Sequence, residues 1–234
     1  MPRPWTVLPH RPIEKLQPNL WTVEADLPQG PIKRRMGIAR LADGRLVFLN
    51  AIALDEPSMV QIEGWGEPAF AIAGNGFHRI DLGSYKARYP KLLVLAAPAA
   101  RKRVEAITAV DGWLDRLPKD SGVKVEEVAG TKMGDTVARV TSGGSVSLAF
   151  PGDVVANSLP MKGVGGAIAG ALGFVGDLRV PRLIKWIGVR DKAALRQHLR
   201  KLADTPDLKH IFNCHGPVIS QDPTGALRRA ADTL

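Results

Sequence analysis

Strand-type segments separated by tight turns occur in both halves of the chain, and these turns limit which segments can pair. Residues 36–41 and 45–49 flank Asp43-Gly44, a dipeptide that readily adopts the positive φ angles of a two-residue hairpin turn. Three further segments, separated by short breaks, follow in the middle of the chain: residues 123–128, 136–140 and 145–150. Their spacing predicts an antiparallel meander.

Helix signals lie between and after these strands. Asp55 predicts the start of a helix that ends at Gly64. Asp191 predicts the start of a second helix, whose leucines recur with helical spacing, and Asp222 predicts the start of the last one. The whole pattern indicates a mixed α+β fold, with a sheet core and helices outside it.

Residues 161–176 (MKGVGGAIAGALGFVG) form a segment rich in glycine, alanine and larger apolar residues. The segment is too short to span a membrane, so the small residues predict a closely packed, buried loop or helix. A role at a membrane surface is the alternative, although the segment lacks the distinct polar face of an interfacial helix.

Composition excludes several classes of protein. The single cysteine, Cys214, rules out an internal disulfide framework and is typical of a reducing compartment. No apolar run is long enough for a membrane span, and prolines occur where a signal peptide needs an apolar run, so we expect a cytoplasmic protein. The net charge of +9 comes from scattered clusters, so nucleic acid is not an expected partner.

Two histidines and one aspartate are the candidates for chemistry. His78 and His215 each follow a short apolar strand and lie in a loop that contains glycine, and Asp153 follows the strand at 145–150. Two imidazoles and a carboxylate are a suitable three-ligand set for zinc. From spacing alone, however, three turn residues that are unrelated in space are the favoured interpretation.

The order of these elements resembles the metallo-β-lactamase fold over roughly residues 18–233. The resemblance rests on the hairpin, the meander, Gly152-Asp153, and Cys214-His215-Gly216 before a final helix. It implies a four-layer αββα sandwich that carries metal ligands in loops at one edge, as a single domain over residues 1–234 with an N-terminal arm at 1–17. The chain is also similar to the DUF4336-like branch of that fold.

The resemblance implies an incomplete set of ligands. His78 matches the last histidine of the family's metal-binding loop, Asp153 its bridging carboxylate and His215 its final histidine. Three further ligand positions fall on residues that do not bind a metal well: Ala73, Asn75 and Phe77. Asn50 stands where many members have an aspartate, and Asp81 would replace the loop carboxylate only if the loop folds differently.

Three hypotheses follow. The preferred one is a degenerate, non-catalytic site or one of unknown activity, with no cofactor or at most one divalent ion (Zn, Fe or Mn). The alternative is a mononuclear metal-dependent hydrolase acting on a small acidic or phosphorylated substrate. The residues expected to bind that substrate are Asn75, Lys33, Arg34 and Arg35. The third hypothesis is a peripheral binding protein that uses its positive charge on nucleic acid or on an anionic membrane.

Overall fold

Two β-sheets form the centre of the computed structural model, which describes residues 3–30 and 32–234. The first sheet has six strands in sequence order: β1 (Glu14–Gln17), β2 (Leu20–Asp26), β3 (Lys33–Arg40), β4 (Arg45–Leu49), β5 (Glu67–Ile72) and β6 (Leu93–Leu95). The second has four, in the spatial order β10-β9-β8-β7: β7 (Val123–Glu127), β8 (Thr136–Ser142), β9 (Ser145–Phe150) and β10 (Leu208–Asn213).

Seven α-helices accompany the sheets in the described residues. They are α1 (Glu56–Trp65), α2 (Leu82–Arg88), α3 (Arg101–Glu105), α4 (Gly163–Ala171), α5 (Arg182–Ile187), α6 (Lys192–Ala203) and α7 (Pro223–Asp232). None of the helices in the described ranges is both long and apolar enough to cross a membrane.

The predicted hairpin and meander are both confirmed. β3 and β4 pair antiparallel around Gly44, whose φ of 88° is the left-handed conformation that the turn needs. β7, β8 and β9 form the meander. β4, β5 and β6 are instead parallel, because α1 and α2 carry the chain back between them.

Three apolar clusters form the core: one between the two sheets and one between each sheet and its helices. Side chains alternate along each strand, so Val47 and Leu49 face the second sheet while Phe48 faces the helices α1 to α3. On the other side, Leu148 and Phe150 pack against α5, α6 and α7. The predicted αββα sandwich is therefore the observed architecture.

Two expectations about helices are wrong. The helix α1 continues past Gly64 to Trp65, and the chain becomes extended at Gly66. Glycine is required at that position, because a Cβ atom would lie 2.4 Å from the carbonyl oxygen of Gly44. Within the segment 161–176, only Gly163–Ala171 form a helix, and that helix is mostly exposed rather than buried. Close packing is confined to a few positions such as Gly166, where a Cβ would meet the carbonyl of Met161 at 2.0 Å.

The ends of three strands meet at one edge of the sandwich. β9 and β10 are parallel neighbours, so their last residues lie side by side. The end of β5 joins them from the first sheet: a Cβ atom at Gly74 would lie 1.9 Å from the carbonyl oxygen of Pro151. This close backbone approach brings the loops that follow β5, β9 and β10 together.

Candidate metal centre

Four side chains with metal-binding atoms converge at this edge. Nε2 of His78 lies 3.0 Å from Oδ1 of Asp153, and Nε2 of His215 lies 3.4 Å from the same oxygen. Sγ of Cys214 lies 3.6 Å from Nε2 of His78. All four potential ligand atoms lie within 4.8 Å of one another. The structure thus places the three residues suggested by the sequence together and adds Cys214.

Hydrogen bonds on the far side of each imidazole fix its orientation. Nδ1 of His215 donates to the backbone carbonyl of Lys33 at 2.7 Å, and Nδ1 of His78 donates to Oδ1 of Asn50 at 3.2 Å. The Asn50 amide is oriented in turn by its own donation to the carbonyl of Arg35. Because a proton on Nδ1 leaves Nε2 with a free lone pair, both histidines present a ligand atom to the cluster.

The side chain of Asn75 links the loop that follows β5 to the carboxylates beside it. Its Oδ1 accepts hydrogen bonds from the backbone N–H groups of Phe77 and His78, and its Nδ2 donates to Asp135 and Asp153. The side chain is fully buried and its hydrogen-bonding capacity is used within the protein. This geometry gives Asn75 a positioning role under the cluster.

The charges of the cluster stabilise one another. Burial opposes ionisation of Asp153, but the imidazoles of His78 and His215 hold the pKa of its carboxyl well below the usual value. Burial likewise opposes protonation of His215, yet its contacts with Asp153 and the Lys33 carbonyl raise its pKa. For Cys214, burial and the nearby carboxylates raise the pKa of the thiol.

Asp135 is a second buried carboxyl beside the cluster, and sequence reasoning missed it. Its Oδ1 accepts from Asn75 at 2.9 Å and from the backbone N–H of Asp153 at 3.2 Å, whereas its Oδ2 has no partner within the described residues. Burial, together with the charge of Asp153, raises its pKa to about 7. Asp135 neither follows a strand nor belongs to a recognisable motif, so the sequence did not point to it. Cys214 could have been proposed from its position next to His215.

The three basic residues predicted to bind substrate have partners within the protein. Each forms an ion pair with a nearby carboxylate: Lys33 with Asp26, Arg34 with Asp81 and Arg35 with Glu24. The Arg34–Asp81 pair is buried on both sides, with a distance of 2.7 Å between Nη1 and Oδ2. Asp81 therefore lies outside the metal cluster, because it is engaged with Arg34 and the Ala53 N–H.

A cavity of about 300 Å³ opens directly above the cluster. His78, Asp153 and His215 line the cavity. Among the described residues that line it, Arg34 is the only lysine or arginine. The remaining walls are mostly apolar: Leu27, Phe77, Ile80, Met133, Phe174, Leu183, Ile184 and Ile187. Several of these come from the segment between α4 and the end of α5, which forms one side of the cavity.

No protein-family model matches the chain, and no curated protein matches it either. Solved structures do. A metallo-β-lactamase from Erythrobacter litoralis is 14% identical, with 95% of this chain and 96% of that chain covered and a TM-score of 0.60. The DIM-1 metallo-β-lactamase is 14% identical over 97% and 99%, with a TM-score of 0.63. A metallo-β-lactamase from Pontibacter korlensis is 12% identical over 95% and 99%, with a TM-score of 0.59.

The chain has the metallo-β-lactamase fold. At these identities the similarity establishes the fold, whereas the chemistry has to be argued from the site. Proteins of the metallo-β-lactamase fold usually bind zinc, so the donor set of this chain has to be tested against that ion.

The donor set fits one zinc ion. Zinc bonds of 2.0–2.3 Å in tetrahedral geometry place ligand atoms about 3.3–3.8 Å apart. The two histidine contacts of Asp153 and the contacts of Cys214 with His78 and Asp153 run from 3.0 to 3.9 Å, and all four ligand atoms lie within 4.8 Å of one another. Imidazole, carboxylate and thiolate are all zinc ligands. A second ion has no comparable set within the described residues, because these four form the one such group found there.

Proposed function

We propose that this protein is a mononuclear metal-dependent hydrolase of the metallo-β-lactamase fold. The observation that carries the proposal is the oriented set of His78, Asp153 and His215 on the floor of an open cavity, with Cys214 beneath them. In metal sites, the ring nitrogen of a histidine that does not bind the ion usually donates a hydrogen bond that fixes the orientation of the imidazole. Turn residues that lie close together by chance would not need hydrogen bonds that hold both imidazoles in this orientation.

The protein groups around the centre have distinct roles in this proposal. A divalent ion would polarise a substrate carbonyl or phosphoryl oxygen and lower the pKa of a water molecule. Asn50 and the Lys33 carbonyl hold the two imidazoles, and Asn75 holds the Asp153 carboxylate. The apolar walls limit the access of bulk water, which strengthens electrostatic interactions at the floor.

The cavity supports a substrate with an apolar group next to the bond that is broken. Apolar side chains form most of its walls, and the charge of Arg34 is compensated by Asp81. An ester, thioester or lactone with an acyl chain would suit these walls better than the small acidic or phosphorylated substrate suggested by the basic residues. The polar floor and apolar walls together form the usual pattern of a small-molecule site.

A second candidate function is metal binding without hydrolysis. Cys214 lies 3.6 Å from the His78 ligand atom and 3.9 Å from that of Asp153, and four protein ligands would complete a tetrahedral ion. Such a closed site leaves no position for a substrate. The degenerate loop positions at Ala73 and Phe77 are compatible with this candidate as well. Membership of the DUF4336-like branch and a cytoplasmic location stay predictions from the sequence.

Metal analysis combined with an activity screen tests the proposal. We expect about one zinc ion per chain after reconstitution, lost in His78→Ala and His215→Ala. The matched control is His210→Ala. His210 lies on β10, the strand that leads to His215, but its imidazole forms a hydrogen bond with Ser220 rather than joining the cluster. A rate of ester or thioester hydrolysis that increases with the length of the acyl chain would support the hydrolase. Bound zinc without turnover would favour the second candidate, and no bound metal would contradict both.

A further inference from the structure

We propose that an apolar surface on α4 and α5 docks on an anionic lipid membrane. This α4–α5 surface consists of five exposed side chains: Val164 and Ile168 on α4, Trp186 and Ile187 on α5, and Leu159 in the loop that precedes α4. Ten large apolar side chains are exposed in the described part of the chain, and half of them belong to this surface. Trp186 is 86% exposed and Val164 is 77% exposed. A concentration of large apolar groups of this kind marks an interaction site.

The two helices are direct neighbours. The backbone N–H of Leu183 donates to the carbonyl of Leu172 at 3.2 Å, and the Arg182 guanidinium donates to the carbonyl of Ala171. Val164 and Ile168 are four residues apart on α4, so they lie on one face of that helix. The end of α4 is thus joined to the start of α5, and their exposed apolar side chains belong to one region of the protein.

The composition of α4 indicates that a partner covers it. From Gly163 to Ala171 the helix has no charged residue and four glycines, each of which disfavours a helix relative to alanine. Only Gly166 and Ala169 of the helix are buried. An exposed helix in water normally carries polar residues on its outer face, and α4 has none. The helix itself lacks the polar face of an interfacial helix, so the charged groups of the docking surface have to come from residues outside α4.

Positive charge surrounds this surface. Residues 154–190 contain a single acidic residue, Asp177, and five basic residues: Lys162, Arg179, Arg182, Lys185 and Arg190. None of the five takes part in the salt bridges formed among the described residues. Arg182 and Lys185 are three residues apart on α5 and therefore lie on one face of that helix. Burial and the positive charges of Lys192, Arg182 and Arg179 lower the pKa of Lys185.

The charge pattern identifies the occupant as an anionic membrane rather than a second copy of the chain. In a symmetric dimer the same patch meets itself, so the cations around Lys185 would face like charges across the interface. Anionic headgroups instead attract clustered lysines and arginines. Tryptophan is the side chain that favours the boundary between headgroups and acyl chains, and Trp186 is more exposed than any other side chain of the surface.

The surface is continuous with the cavity above the metal cluster. Ile187 is 48% exposed and also lines the cavity, together with Leu183 and Ile184 from the same helix. Docking would therefore place one wall of the cavity beside the lipid. Membrane binding does not require a metal ion or turnover, so its test stands apart from the test of the hydrolase.

Vesicle sedimentation tests the docking with the full-length chain. We expect at least about tenfold more binding to vesicles of phosphatidylcholine with phosphatidylglycerol than to phosphatidylcholine alone, and less binding as salt is raised. Trp186→Ser and Arg182→Glu should each weaken binding by about tenfold. Matched controls are Trp113→Ser and Lys91→Glu. Trp113 is exposed but lies outside the α4–α5 surface. Lys91 lies just before β6, at the end of the sheet that is opposite the cavity.

Unfolding curves of the variants should match the wild type, because the substituted side chains are exposed. Equal binding to the two kinds of vesicle, no binding to either, or full binding by Trp186→Ser and Arg182→Glu would overturn the proposal. Sedimentation velocity of the lipid-free protein gives a further check. A dimer that Trp186→Ser dissociates would assign the surface to a second copy and likewise overturn it.

Discussion

Nδ1 of His78 lies 3.2 Å from the amide oxygen of Asn50, and this contact directs the opposite nitrogen of the imidazole to Asp153. Asn50 has a φ of 60°, a left-handed conformation that glycine, asparagine and aspartate tolerate best. Residues behind a metal-binding histidine set both its tautomer and its basicity. Asn50 is therefore a positioning residue whose contribution can be measured separately from that of the backbone.

Asn50→Gly should weaken zinc binding by about 10–100-fold, the usual effect of removing the hydrogen-bond partner of a metal-binding histidine. Glycine keeps the left-handed backbone, so the loss is attributable to the amide. Competition against a chromophoric chelator measures the affinity. Asn50→Asp is the comparison variant: it loses the donation to the Arg35 carbonyl but keeps an acceptor for Nδ1, so it should retain more of the affinity than Asn50→Gly. Equal affinities for the wild type and Asn50→Gly would contradict the assigned role.

Cys214 should lie outside the coordination sphere of the ion, because the proposed hydrolase keeps the fourth position for water or substrate. Burial raises the pKa of its thiol, which disfavours the thiolate that a metal ion binds. Cobalt(II) bound to the wild type is therefore expected to show no sulfur-to-metal charge-transfer band, and Cys214→Ser should bind zinc about as tightly as the wild type. A charge-transfer band that Cys214→Ser removes would make Cys214 a fourth ligand and would favour metal binding without hydrolysis.

The sheets were predictable because their turns are chemically distinctive. Asp43-Gly44 specifies a hairpin from adjacent residues alone, and the breaks between β7, β8 and β9 are short enough to force neighbouring strands to pair. The position of α4 was not predictable in this way. A run of glycine and alanine has the same composition whether it packs in a core or covers a surface, and only the tertiary contacts distinguish the two.

The site was partly predictable. His78, Asp153 and His215 all follow strands, which is why the sequence could suggest that their side chains converge. Asp135 precedes its strand instead, and it reaches the cluster only because the backbone at Gly74 packs against that at Pro151. Contacts between distant backbone segments depend on the assembled sandwich and have no local signal.

Asp135 should make the stability of the metal-free protein depend on pH. Its pKa is about 7 in the folded state and about 3.9 in an unfolded chain, so the folded state binds the proton more tightly. The resulting stabilisation is complete below about pH 4 and is lost as the pH rises through 7. The difference of about three units corresponds to an upper bound of about 4 kcal/mol.

Asp135→Asn removes this titration with little change in shape. We expect the free energy of unfolding of the wild type, measured with denaturant and a chelator, to fall relative to the variant between pH 5 and about pH 8. Other titrating groups are common to both proteins and cancel in the comparison. Parallel curves for the two proteins across this range would refute the proposed proton uptake by Asp135.

Two glycine-to-alanine changes should act in opposite directions. At Gly74 a Cβ would lie 1.9 Å from the Pro151 carbonyl oxygen, so Gly74→Ala must separate backbone segments and should destabilise by about 1–3 kcal/mol. Gly64 is within α1 and a Cβ there meets nothing within 4 Å. Gly64→Ala should therefore stabilise by about 0.5–1 kcal/mol. Denaturant unfolding measures both, and a neutral Gly74→Ala would show that the two sheets approach less closely there.

Arg34 should contribute to folding rather than to the capture of an acidic substrate. Its side chain and that of Asp81 are 3% and 0% exposed, so Arg34→Met leaves a buried carboxylate without its cation and should cost about 3–5 kcal/mol of stability. The double variant Arg34→Met, Asp81→Asn removes the unpaired charge and should recover a large part of that loss. Urea denaturation of the wild type and the three variants, including Asp81→Asn alone, measures the coupling. A stable Arg34→Met that loses only its affinity for acidic ligands would instead return Arg34 to the binding site.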